Sequence, residues 1–139
     1  MAIVMGFIPT PEGRAALSYA AREANLRKVP LVVVDSHHGG SSYDVSEAER
    51  FDEELTRVKE ELLAEDVDFR IRTFVRGNDP SEDLVTAAEE VGAELIVIGL
   101  RRRSPVGKLI LGSNAQQILL HAECPVLAVK AGWEHQDAS

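Results

Sequence analysis

The chain has 139 residues, 45% of them apolar and 27% charged, which suits one domain burying ~68–70% of its unfolded surface with no disulfide or metal to hold it. Lys and Arg number 15 against 23 Asp and Glu, a net charge of -8 that speaks against nucleic-acid or membrane-surface partners because the mean field repels phosphate. The single cysteine, Cys124, excludes an internal disulfide and fits a reducing compartment. No run approaches the ~18 apolar residues that span a bilayer, and Met1 leads straight into a strand-like run, so a cytoplasmic protein is expected.

Apolar runs of strand length alternate with helical stretches, the pattern of a parallel sheet with crossover helices. The runs are Ala2–Phe7, Leu31–Asp35, Val67–Val75, Glu94–Ile98 and Pro125–Val129. Four are near-continuously apolar, as strands covered on both faces must be. The third alternates, with Arg70 and Arg72 among its outward residues, and reads as a half-exposed edge strand.

Helix starts are marked by side chains able to cap them. Thr10-Pro11 reads as an N-cap followed by proline at the first helical position. Ser46 with Glu49, Asp79-Pro80 with Glu82, and Ser113 with Gln116 all have capping-box spacing. Phe51, Leu55, Val58 and Leu62 form a stripe that lays one helix face on the sheet. Residues 1–130 are expected to form the domain and 131–139 a polar tail.

Chemistry-bearing signals are few. His37-His38 beside Gly39-Gly40 lacks a third ligand at convincing spacing, and Cys124, followed by Pro125, reads as a structural thiol. No G-x-G-x-x-G follows a strand, and no G-x-x-x-x-G-K-[ST] loop is present. A phospho-receiver needs acidic residues after strand one and an acceptor Asp after strand three, where Ile8-Pro9-Thr10 and Arg76-Gly77 stand. A flavin site would want a hydroxyl-rich loop after strand one, and Thr10 alone is available.

The informative segment is IVIGLRRRSPVGKLILGSNAQQILLHAECPVLAV, which runs from a buried strand through an arginine-rich loop to a helix start at Gly112-Ser113. Gly99 is read as ending the strand. A helix start presents unpaired N–H groups and the positive end of the macrodipole, and so attracts an anion. Here the sequence resembles the universal stress protein family, whose ATP-binding members carry G-x2-G-x9-G-[S/T] after the fourth strand. Gly99, Gly112 and Ser113 occupy three of the four positions, and Arg102 stands in place of the second glycine. CPVLAV, residues 124–129, resembles the family's fifth strand.

The resemblance implies a Rossmann-like α/β fold with a five-stranded parallel sheet in the order 3-2-1-4-5 and helices on both faces. Ligands then bind beyond the carboxyl ends of strands one and four, where the order switches direction. It also implies a phosphate loop comprising Gly99, Arg102, Arg103, Gly112, Ser113 and Asn114. Ile8 and Asp35 fall on the nucleoside side, with ATP and magnesium as the ligand. Ile8 occupies the position where ATP-binding relatives carry an Asp, and it accepts no hydrogen bond. Arg102 either grips phosphate or pairs with a carboxylate such as Asp35. Two readings therefore stand: a non-enzymatic regulatory module that binds an adenine nucleotide, and a nucleotide-independent homodimer joined through strand 125–129, whose PVLAV carries no charge to protect an edge. Slow ATP hydrolysis is conceivable, although no residue stands out as a base.

Overall fold

Three short runs rich in Val, Ile and Leu become inner strands because each is covered on both faces, and two less buried runs form the edges. The computed structural model describes residues 1–37, 45–75, 79–100 and 112–131. In chain order it contains β1 (Ala2–Gly6), α1 (Pro11–Arg27), β2 (Leu31–His37), α2 (Val45–Ala64), β3 (Phe69–Val75), α3 (Pro80–Val91), β4 (Ala93–Leu100), α4 (Ser113–His121) and β5 (Val126–Lys130). The strands form one parallel sheet ordered β3-β2-β1-β4-β5. β3 is an edge, as its alternation implied. β1 is central, with Ile3 opposite Leu31 on one side and Leu95 on the other.

Strand pleating divides the core into two layers. Ile3, Met5, Val33 and Val97 face α1 and α2, where they meet Ala16, Leu17, Ala20, Val58 and Leu62. The alanines of α1 let that helix lie close against the sheet. Val4, Val32, Val34, Ile96 and Ile98 face the opposite way and pack against Leu84 and Ala87 of α3 and Ile118 of α4. Of the stripe expected on α2, Val58 and Leu62 are buried and Leu55 is half-buried, while the Phe51 side chain lies outside the described set.

Capping follows local chemistry at two helices and departs from it at two others. The Thr10 hydroxyl accepts from the Gly13 amide at 3.1 Å, and Pro11 opens α1. The Asp79 carboxylate accepts from the amide of Ser81, one residue short of the partner that a capping box with Glu82 would use. α2 begins at Val45, so Ser46 lies inside its first turn. Gly112, not Ser113, is the N-cap of α4, and Ser113 is its first helical residue. The N–H of Gln116 closes that first turn on the Gly112 carbonyl at 3.0 Å.

Strand limits shift for similar reasons. β3 starts at Phe69, with buried Val67 lying just before it, and Arg72 pairs with Glu90 while stacking over Phe74 at 5.0 Å. β4 runs on through Gly99 to Leu100, pairing Gly99 with Val129, so Gly99 lies within the strand and does not end it. The tail beyond residue 131 lies outside the described residues.

Adjacent leucines of α2 test this layering. Leu62 is fully buried and Leu63 is 68% exposed. In urea denaturation Leu62→Ala is expected to cost about 2–5 kcal/mol, whereas Leu63→Ala should stay within about 0.5 kcal/mol of the parent.

Candidate functional site

The sheet order reverses between β1 and β4, and the elements leaving their carboxyl ends diverge there. Two glycines fix what happens above the gap. A Cβ on Gly99 would stand 2.6 Å from the Glu12 carbonyl oxygen, and one on Gly13 would stand 1.9 Å from that of Ile8. Both positions therefore need glycine, because backbone passes where a side chain would begin. The first turn of α1 is thereby pressed against the end of β4 and closes that side of the sheet.

The other side stays open. A cavity of about 210 Å³ lies over the strand ends, between the starts of α3 and α4. β1 contributes Gly6 and the turn residues Phe7 and Ile8 that follow it, β2 contributes Val34 and Ser36, and β4 contributes Ile98 and Gly99. Pro80, Ser81 and Leu84 of α3 form one wall, with Asn114, Ala115 and Ile118 of α4 opposite. The lining is apolar apart from the hydroxyls of Ser36 and Ser81 and the amide of Asn114.

The two helix starts differ electrostatically. α3 begins under its own carboxylates: Asp79 caps it, and Asp83, only 4% exposed, accepts a hydrogen bond from the Ser36 hydroxyl at 2.5 Å. The positive end of the α3 dipole and the Ser36 donor together offset the burial of that charge. Among the described residues α4 has no side-chain cap, and its first turn holds no acidic residue. Nothing in that turn repels an anion drawn to the positive end of the helix dipole.

Of the residues named from the sequence, Gly99, Asn114 and Ile8 line the cavity, and Gly112 and Ser113 precede Asn114 in the chain without lining it. Ser113 borders a larger groove of about 660 Å³ between α3 and α4. Asp79, Glu82 and Glu89 line that groove, so phosphate is disfavoured there despite its size. Asp35 does not reach the cavity. It is fully buried on the α1–α2 face, the same face as Val33, with the Thr73 hydroxyl donating to it at 3.5 Å. Its neighbour Ser36 points the other way and lines the cavity.

Arg102 and Arg103 lie outside the described residues, as does His38. Among the described residues no group of three or more His, Cys, Asp and Glu is placed to hold a metal, and no helix is long and apolar enough to cross a membrane. Cys124 is half-buried beside the α3–α4 core layer, and burial pushes its thiol above the ordinary value, which favours the protonated, unreactive form. Ser36 and Asp83, 47 residues apart, were not legible as a pair.

Comparison with known proteins bears on the whole chain. A model of the universal stress protein family matches residues 1–130. The chain belongs to that family. A universal stress protein of Mycolicibacterium smegmatis is 44% identical over 128 residues, covering 92% of this chain and 96% of its own. A solved universal stress protein of Archaeoglobus fulgidus is similar at 38% identity with a TM-score of 0.80, over 94% of this chain and 98% of the other. A second A. fulgidus structure, a complex with dAMP, is 33% identical with a TM-score of 0.75 over 94% and 98% of the two chains.

The glycine contact at the end of β4 can be tested directly. Gly99→Ala forces its new methyl group against the Glu12 carbonyl, 2.6 Å from the ideal Cβ position. A loss of about 1–3 kcal/mol in denaturation is expected, and an unchanged midpoint would contradict the close approach.

Proposed function

We propose that this universal stress protein is a non-enzymatic cytoplasmic regulatory module. It binds an adenine nucleoside phosphate in the cavity over β1, β2 and β4. The observation that carries the reading is the uncapped start of α4 beside an apolar cavity whose opposite helix already holds its own carboxylates. An anion therefore finds one favourable helix end and one unfavourable one. The dAMP complex of a relative 33% identical over nearly the whole chain supports a ligand of this class.

In this reading the base lies between the apolar walls of Val34, Ile8 and Leu84, and the first phosphate rests on the amides that begin α4. Ile8 supplies apolar contact where a carboxylate would have held the nucleoside, so affinity leans on the phosphate end. The further phosphates of ATP and a magnesium ion would extend outward from that helix start.

Asn114→Asp separates phosphate binding from folding. A carboxylate in the first turn of α4 is welcomed by the helix dipole, so stability is expected to hold or to rise by about 0.3–1 kcal/mol. Calorimetric affinity for AMP should fall about 10-fold or more, as a charge-assisted contact gives way to repulsion, while adenosine binds as before. Equal AMP affinities in parent and variant would remove the phosphate from this position.

A second reading, a homodimer that acts without nucleotide, draws on β5. That strand ends the sheet order, has half-buried Val126 and Leu127 and exposed Ala128, and carries no charge before Lys130. Such an edge invites cover by a second copy. Light scattering at micromolar concentration is expected to give twice the 15.2 kDa chain mass, and a monomer mass would count against the reading.

A further inference from the structure

Within the nucleotide reading just given, on which this inference rests, we infer that the Ser36–Asp83 pair selects a purine bearing a 6-amino group over one bearing a 6-oxo group. A serine hydroxyl has one O–H and two lone pairs. Here the O–H is directed to the Asp83 carboxylate at 2.5 Å. Asp83 is buried in the first turn of α3, and an ionised carboxylate has no hydrogen to return. Toward the cavity, Ser36 therefore presents lone pairs alone.

Position decides which part of the ligand meets that acceptor. Ser36 is the penultimate residue of β2, on the same face as Val34, and lines the cavity with Leu84 and Ile8. The α4 start lies beyond β4, and β1 stands between β2 and β4. Two inter-strand spacings, about 9.6 Å, separate the β2 and β4 ends. A phosphate at α4 thus leaves the far edge of the base, not the ribose, within reach of Ser36. The exocyclic amine of adenine donates and satisfies the lone pair. A 6-oxo purine in the same pose turns an acceptor toward an acceptor, and regains a bond only by shifting so that its N1–H reaches Ser36.

Calorimetric titration of the full chain with AMP, IMP and the 5′-monophosphate of unsubstituted purine riboside tests this. Affinity is expected to fall in the order AMP, purine riboside monophosphate, IMP, because the second ligand loses the bond and the third adds repulsion. AMP should exceed IMP by at least about tenfold. Ser36→Ala should bring AMP and IMP to within about threefold of each other, with the loss falling mainly on AMP. AMP and IMP binding equally to the parent would overturn the inference and leave the nucleotide reading intact. A preference that persists in Ser36→Ala, or discrimination between AMP and dAMP with none between AMP and IMP, would also overturn it, since the selecting group would lie elsewhere or face the ribose. Absence of AMP binding to the parent would overturn both readings. Because the order of the three ligands is read on the parent protein, the test does not depend on the variant folding.

Discussion

The structure depends on a close backbone approach. Gly99 of β4 and Gly13 of α1 allow the first turn of α1 to lie where side chains would otherwise stand, with the Glu12 carbonyl 2.6 Å from the would-be Cβ of Gly99. Gly99 follows Val97 on the face that α1 covers, so this contact closes that face at the strand ends. The opening is left on the opposite face, between α3 and α4, where the strand order reverses. A glycine that makes no contact with a ligand through any side chain therefore determines on which side of the sheet a ligand can enter.

Electrostatics then distinguishes the two helix starts that border the opening. The chain as a whole is acidic, with a net charge of -8, so any anion it holds must be held locally. Asp79 and Asp83 oppose the positive end of α3, and among the described residues the α4 start carries no side-chain cap and no acidic residue in its first turn. The Ser36–Asp83 bond adds direction to an otherwise apolar cavity. A fixed proton position at one end and the positive end of the α4 dipole at the other give the pocket polarity along its length. That is how a small cavity can orient a ligand as well as enclose it.

Much of the fold was readable from residues. Near-continuous Val and Ile runs marked covered strands, and Arg70 and Arg72 marked β3 as an edge, because these signals are local and repeat along the chain. Thr10-Pro11 fixed the start of α1 for the same reason. The errors have physical causes. Ser113 and Gln116 have capping-box spacing, but Gly112 already takes the N-cap position, so the hydroxyl falls one residue too late. Gly99 read as a strand terminator, whereas its glycine answers a demand from Glu12 of α1, far away in sequence, that no neighbouring residue announces. Asp35 and Ser36 show how little separates two environments: adjacent strand residues point to opposite faces, so Asp35 is buried beside the α1–α2 layer while Ser36 lines the cavity. The Ser36–Asp83 pairing is purely tertiary and left no local trace.

The central claim is that phosphate meets the first amides of α4 while the base lies toward β2. Amide chemical shifts recorded during titration with AMP and with adenosine test it most directly. The account predicts that AMP moves the Ser113, Asn114 and Ala115 amides strongly, that adenosine moves them little, and that both ligands move signals around Ser36. Equal perturbation of the α4 amides by both ligands, or phosphate-dependent shifts confined to other helix starts, would contradict it.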